Sequence, residues 1–155
     1  PPVHITEALK IWFRVYYSDE HLVSLRLTHS VMALGQMHPI NYYETINYDF
    51  RSARPLNESE IFKKSYLRVF SAYSRTYVRE NYRRNHTEDM TLSEGTEPKR
   101  RNFPNWNIVP DGILIAFEDY QIGPHSFGQL ELIIPYSELK RVLKPNRFTA
   151  KFVIT

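Results

Sequence analysis

One stretch near the end of the chain, residues 105–139, constrains the fold more than any other. It contains short apolar runs at 106–109 and 113–117 and a third run at 129–134, in which Leu130, Leu132 and Ile134 alternate with Gln129, Glu131 and Ile133. Between the first two lies Pro-Asp-Gly at 110–112, a combination typical of tight turns because Pro fixes φ and Gly accepts positive φ. Both alternating faces of the second run are apolar, which predicts a strand covered on both sides. The stretch therefore predicts strand, turn, strand, loop, strand and a short helix capped by Ser137.

The connection between the last two strands, residues 120–128, is too long for a tight hairpin. It contains two glycines, a proline, a histidine and two aromatic residues. Loops on a rigid sheet often carry binding residues, so we expect a ligand-binding site here, with His38 of an earlier loop nearby. Phe127 would be its anchor, and the candidate residues are Tyr120, Pro124, His125, Ser126, Phe127 and His38. The alternative is that the loop folds back and packs Phe127 on the sheet.

The first third of the chain predicts strands. Residues 9–17 alternate regularly, a polar turn follows at 18–20, and residues 21–34 form the returning strand of a hairpin. We expect the apolar members of the returning strand to point inward (Val23, Leu25 and Leu27) and the polar ones outward (Ser24, Arg26 and Thr28). A loop at 35–39 leads to a third strand at 41–50.

A long helix is predicted at about 61–84, with apolar residues at helical spacing and a capping box formed by Asn57 and Glu60. Residues 85–102 lack periodicity and predict a long loop. Residues 147–155 alternate, as in an edge strand. Together these elements predict a single α+β domain over 1–155: an antiparallel β-sheet with one long helix packed on a face and a short C-terminal helix.

The residue types exclude several kinds of chemistry. The chain has no cysteine, so disulfides and thiolate ligands are absent. Its six histidines fit no metal-binding spacing, and no nucleophile elbow or glycine-rich phosphate loop is present. We therefore predict no metal, no cofactor and no catalytic residue, and a chain that is not an enzyme. No apolar run is long enough to cross a membrane as a helix.

The net charge of +3 and the pI of about 9.1 favour an acidic partner. Basic residues alternate with tyrosines over 63–84, and Lys-Arg-Arg follows at 99–101. This pattern is typical of a solvated helix face and also compatible with an anionic partner. Nucleic acid is the less favoured partner, since tyrosines at helical spacing usually belong to a core.

The C-terminal pattern resembles that of a bacterial domain family, the C-terminal domain of the RsiV-type anti-sigma factors. The matching residues are Asp111, Gly112, Phe117, Tyr120, Pro124, Gly128, Ile134, Pro135, Tyr136 and Leu139. A weaker upstream block consists of Gly35, His38, Asn47 and Asp49. The same domain occurs in secreted mycobacterial immunogenic proteins and beside polysaccharide deacetylase domains.

This resemblance implies an α+β domain outside the cytoplasm, secreted, periplasmic or anchored, without a catalytic motif. The best-understood members of the family sense lysozyme by binding it. We therefore expect a binding or sensor domain for a protein or a cell-wall glycan. The alternatives are a cell-wall-associated enzyme or accessory domain acting on peptidoglycan, and a structural envelope subunit. Because the chain begins at Pro1 without Met, an upstream signal peptide or anchor is compatible with it.

Overall fold

The computed structural model describes residues 8–82, 90–124 and 128–153. Its strands are β1 Ala8–Ser18, β2 Leu22–Met32, β3 Ile40–Asp49, β4 Arg54–Pro55, β5 Trp106–Val109, β6 Gly112–Ala116 and β7 Glu131–Pro135. Its helices are α1 Glu58–Ile61, α2 Tyr66–Tyr82, α3 Met90–Gly95 and α4 Tyr136–Leu139, with a 3₁₀ turn at Arg100–Asn102.

All strand pairs are antiparallel, and they form two sheets. The large sheet has the order β1-β2-β3-β4 and the small sheet the order β5-β6-β7. The predicted fold class is confirmed: antiparallel strands, one long helix and a short C-terminal helix. The sequence did not indicate that the strands divide into two sheets.

The small sheet is the centre of the core. On one face Ile113 and Ile115 of β6 belong to the same buried cluster as Phe70 of α2. On the other face Leu114 and Ala116 contribute to a second cluster with Tyr43 of the large sheet. The prediction that this strand is covered on both sides is therefore confirmed.

Gly112 begins β6 for a reason that the sequence did not reveal. Its φ is not positive, so the expected turn requirement for glycine is wrong at this residue. A Cβ built on Gly112 would lie 2.1 Å from the carbonyl oxygen of Ile134, which belongs to the neighbouring strand. Glycine is needed here because the two backbones approach too closely for any side chain.

The predicted orientation of β2 is wrong. Ser24, Arg26 and Thr28 are buried, whereas the apolar residues between them are only half-buried. In β1, residues 8–15 are exposed on both faces, and Leu9 and Phe13 on the apolar face are 63% and 68% exposed. The large sheet therefore turns its polar face towards the small sheet and its apolar face outward.

The physical reason for this inversion lies in the free edge of β5. Its backbone groups are buried and need hydrogen-bond partners, which polar side chains of β3 supply. Asn47 accepts a hydrogen bond from the N–H of Ile108 at 2.9 Å and donates one to the carbonyl of Trp106 at 2.9 Å. Thr45 accepts one from the N–H of Trp106 at 3.2 Å. An apolar face could not satisfy these groups.

Buried side chains extend this network to β2. The Asn107 amide donates to the Ser24 hydroxyl and to the carbonyl of Leu25, each at 2.9 Å. The Ser24 hydroxyl in turn donates to Asn47 at 2.7 Å. The two sheets are thus joined by a continuous set of hydrogen bonds through side chains from three strands.

Arg26 lies in the same interface and is only 4% exposed. Its guanidinium forms an ion pair with Glu131 of β7. Its Cζ atom lies 4.5 Å from the ring centroid of Tyr43 and 5.3 Å from that of Tyr16, within cation–π range. Burial raises the pKa of Tyr43, so this phenol stays neutral beside the guanidinium.

The helical segments differ from the prediction in their bounds. The capping box is present, with the N–H of Asn57 donating to Glu60 at 2.9 Å, but it caps the short α1. The long helix is separate and begins at Tyr66. Pro135, and not Ser137, occupies the N-cap position of α4.

Two predicted irregular or extended segments also differ. The predicted loop at 85–102 contains α3 and the 3₁₀ turn, while residues 85–89 lie outside the described part. The predicted edge strand at 147–155 is wrong over 147–153, where the chain forms turns. Asn146 starts these turns, because its side chain accepts hydrogen bonds from the N–H groups of Phe148 and Thr149 at 3.0 and 2.9 Å.

Candidate functional site

The loop between β6 and β7 meets the loop between β2 and β3 at one end of the two sheets. We call this region, residues 34–39, 119–124 and 128, the loop end. The phenol oxygen of Tyr120 lies 3.0 Å from Nε2 of His38, and the two ring centroids are 6.1 Å apart. Two of the six predicted site residues are therefore in contact, although they are 82 positions apart in the sequence.

Tyr120 has an unusual backbone conformation, with φ of +66°. A non-glycine residue in this region is uncommon and costs about 1 kcal/mol or more unless its surroundings hold it there. Its side chain is 48% exposed. The loop therefore holds a largely exposed aromatic ring in a fixed position.

The residues that flank Tyr120 explain how this conformation is held. Asp119 accepts hydrogen bonds from the backbone N–H and the side-chain amide of Asn41, at 2.9 and 3.0 Å, which ties the loop to the start of β3. The Gln121 amide donates to the carbonyls of Gly95 and Asn102, at 3.0 and 2.8 Å. The next residue, Ile122, is buried in the main core.

The two loops that carry this pair also expose apolar side chains. Leu34 is 73% exposed and Met37 is 97% exposed, both in the loop that carries His38. Pro124 is exposed on the other loop. The remaining predicted site residues, His125, Ser126 and Phe127, lie outside the described residues.

The described part of the 118–130 segment leaves almost no internal space. The hollow beneath it, lined by Tyr120, Pro124 and Gly128 among others, has a volume of about 10 Å³. A water molecule needs roughly that much and a drug-sized ligand several hundred Å³. The described loop residues can therefore contact a partner through their outer surface but do not form a small-molecule pocket.

A larger cleft lies elsewhere, between β3, α1 and the 3₁₀ turn. It has a volume of about 440 Å³ and is lined by polar groups and by Trp106 at its base. At its mouth Arg100 pairs with Glu58, Nε to carboxylate, at 3.2 Å. The sequence analysis missed this cleft because its walls come from three separate segments.

Within the described part of the chain, no group of three or more His, Asp or Glu side chains is arranged to hold a metal ion. In the same part, no helix is both long and apolar enough to span a membrane. The charged side chain of Arg26, which is 4% exposed, lies between the sheets and lines none of the clefts described above. Its environment is that of a structural ion pair.

These observations define a small α+β domain whose notable exposed feature is a rigid loop end. The chain belongs to a family that is described as "Protein of unknown function (DUF3298)", whose model matches residues 59–137, about half of the chain. This match shows a domain family of unknown function and does not confirm the expected relation to the RsiV-type family. The narrower relation to lysozyme-sensing anti-sigma factors stays a prediction.

Among curated proteins, the chain is similar to the peptidoglycan-N-acetylmuramic acid deacetylase PdaC of Bacillus subtilis. The two are 33% identical over 113 residues, which cover 72% of this chain and 24% of the deacetylase. The chain thus spans about a quarter of that relative.

Two crystal structures share the fold. A DUF3298 family member from Bacteroides fragilis superposes with a TM-score of 0.73 at 23% identity, over 92% of this chain and 56% of that one. A second, from Pseudomonas aeruginosa, gives a TM-score of 0.67 at 21% identity, over 90% and 64%. These likenesses confirm the fold.

Proposed function

We propose that this chain is a binding domain of the bacterial cell envelope that recognises a protein through its loop end and is not itself an enzyme. The observation that carries the proposal is the Tyr120–His38 pair, an exposed aromatic contact fixed on a rigid sheet. Exposed aromatic and Met side chains are the types enriched at protein interfaces. The flanking apolar side chains of Leu34 and Met37 supply such a surface.

Two further features support a protein ligand over a small molecule. The described part of the loop offers surface rather than a cavity. Backbone strain at an exposed position such as Tyr120 commonly marks a functional site. The envelope location is supported by the relative that is named as a peptidoglycan deacetylase.

Lysozyme is the ligand to test first, because the resemblance to the anti-sigma factors suggests it. Biolayer interferometry with the immobilised chain should give saturable binding of lysozyme. Tyr120→Ala and Phe127→Ala should each lower the affinity at least about tenfold, as expected for aromatic anchors. His125→Ala and His38→Ala should weaken binding less, since a polar contact is lost while the anchor remains.

Matched controls are available on other surfaces. Phe50→Ala and His21→Ala remove an aromatic ring and an imidazole at the other end of β2 and β3, where the N–H of Phe50 donates to the carbonyl of His21. Both should bind as the unmodified chain does. Absence of lysozyme binding would exclude lysozyme as the ligand, and equal losses in loop-end and control variants would exclude the loop end as the site.

A second candidate function is that of an accessory domain for an enzyme that acts on peptidoglycan. The match to about a quarter of a deacetylase favours it, since a domain of this size would accompany a separate catalytic domain there. Incubation with purified peptidoglycan separates the possibilities. An accessory domain cosediments with the polymer and releases no product, whereas product formation would contradict the assignment as a non-enzyme.

A further inference from the structure

Two adjoining hollows lie on the side of the molecule formed by α2, α4 and the turns that follow α4. The first, of about 400 Å³, has an apolar floor that includes Leu143 and Val153. The second, of about 800 Å³, runs between α2 and α4 over Val69 and Ala72. Lys140 lines both, so we treat them as one surface and call it the basic groove.

Charge is distributed very unevenly in the basic groove. Five cationic side chains line it against a single carboxylate, that of Glu138; the cations are Lys63, Arg68, Lys140, Arg141 and Lys144. A concave surface lined by one sign of charge concentrates the electrostatic potential and attracts counter-charged ligands.

Among the described residues these cations have no carboxylate partner. Within residues 8–82, 90–124 and 128–153, none of the five forms an ion pair with a carboxylate. The basic residues of the 3₁₀ segment behave differently, since Lys99 and Arg101 pair with Glu97 and Arg100 pairs with Glu58. The groove therefore keeps its positive charge available to a partner.

Two of the five cations are also held in position. The Lys63 ammonium donates a hydrogen bond to the backbone carbonyl of Arg141 at 3.1 Å. The Lys144 ammonium donates one to the carbonyl of Ser59. An ammonium group has three N–H donors, so each keeps donors for an anion after making this bond. Fixing these side chains in advance reduces the entropy lost on binding.

The lining also restricts the partner's chemistry. Within the described lining the single aromatic ring is that of Tyr73, which is half-buried and packs against the core. Proteins that bind single-stranded nucleic acids stack successive bases on several exposed rings, and the described lining offers only this half-buried one. Its apolar floor suits small aliphatic or sugar units. Arg68 and Arg141 offer forked donors that match phosphate oxygens.

We propose that the basic groove binds a linear phosphodiester polymer whose repeat units are polyols rather than nucleosides. Successive phosphates would contact cations of the two hollows, and the uncharged units between them would lie on the apolar floor. This surface is separate from the loop end, so the proposal does not depend on the protein ligand.

The test uses synthetic poly(glycerol phosphate) as the probe, with affinity measured at about 50 mM and about 200 mM salt. The triple variant Arg68→Gln, Lys140→Gln and Arg141→Gln should lower the affinity at least about tenfold and reduce the salt dependence by roughly two to three released counterions. The matched control makes the same changes in the ion-paired segment, Lys99→Gln, Arg100→Gln and Arg101→Gln. It should change the affinity by less than about threefold.

Three further arms make the outcome decisive. Tyr120→Ala should bind the polymer normally, which separates this site from the loop end. Polyuridylic acid of equal charge should bind at least about tenfold more weakly, because the described lining has no row of exposed rings for its bases. Poly-glutamate of equal charge tests whether the groove prefers phosphodiesters to carboxylates, and the proposal expects at least about tenfold weaker binding of it. The proposal is overturned if poly(glycerol phosphate) fails to bind at low salt or if both triple variants lose the same affinity for it. It is also overturned if polyuridylic acid or poly-glutamate binds as tightly as poly(glycerol phosphate).

Discussion

The inverted orientation of the large sheet can be tested at Asn47 of β3, which is 4% exposed. In the structure its side chain serves two buried backbone groups of β5, the N–H of Ile108 and the carbonyl of Trp106. Asn47→Ala would leave both without partners. A buried unsatisfied polar group costs about 1–3 kcal/mol, so the expected loss is about 4 kcal/mol of the free energy of unfolding.

That loss is a large fraction of the roughly 5–15 kcal/mol by which a typical domain is stable against unfolding. With a urea m-value of about 2 kcal/mol per molar, the unfolding midpoint should fall by about 2 M. Equilibrium urea unfolding followed by circular dichroism measures this shift. The m-value should stay constant, because the same surface is exposed on unfolding.

Phe13 is the matched comparison, because its apolar side chain should have been core if the sheet were oriented as the sequence suggested. It is 68% exposed, so Phe13→Ala should cost less than about 1 kcal/mol. A core phenylalanine would instead cost about 3–5 kcal/mol. If Phe13→Ala is more destabilising than Asn47→Ala, the polar face does not form the interface between the sheets and the reasoning fails.

Three more predictions test other parts of the fold. Gly112→Ala should lower the free energy of unfolding by about 1–3 kcal/mol, because the added Cβ would lie 2.1 Å from the Ile134 carbonyl oxygen. Thermal unfolding measures this loss, and an unchanged midpoint would show that the two strands can move apart to accept the methyl group. Burial opposes ionisation of Asp49, but its hydrogen bonds and the Arg147 guanidinium outweigh this and lower its pKa. A carboxyl whose pKa is lower in the folded than in the unfolded state stabilises the fold at pH values above its unfolded-state pKa. This stabilisation is lost as the pH falls through the folded-state pKa, so the free energy of unfolding should decline below about pH 4. Asp49→Asn should flatten this decline, and an equally steep acid limb in the variant would assign it to other carboxyls. Arg26→Ala should cost about 3–5 kcal/mol in urea unfolding by leaving a carboxylate and two phenol rings without their cation, and a loss below about 1 kcal/mol would show that the ion pair is dispensable.

The candidate site shows how far sequence could go. The loop at 120–128 was predicted from its length and its residue types, and its nearness to His38 was expected. The structure adds the 3.0 Å contact and the strained backbone of Tyr120, which depend on Asn41 and Gln121. Neither of these supporting residues had a local signal, because each acts on a segment far from it in sequence.

The basic groove shows the same division. The sequence showed the run of cations along α2 but did not indicate a binding surface, because a charged helix face is usually only exposed to solvent. Lys140 and Arg141 come from another element and meet the Lys63 and Arg68 side chains only after folding. Concavity and the absence of ion pairs among the described residues are properties of the assembled surface.

The sequence by itself determined the type and order of most regular elements, because apolar periodicity, turn residues and capping residues act over a few positions. It missed α3 and predicted a strand over 147–153, where the chain forms turns. It located β5, β6 and β7, the capping box at Asn57 and the antiparallel α+β class. Only the tertiary structure decided which face of the large sheet is inside. Alternating polar and apolar residues show that a strand has two unlike faces. Which face is buried depends on the groups that the neighbouring element needs as partners. Here that element is the free edge of β5, whose unpaired backbone groups are satisfied by Asn47 and Thr45 and could not be satisfied by an apolar face.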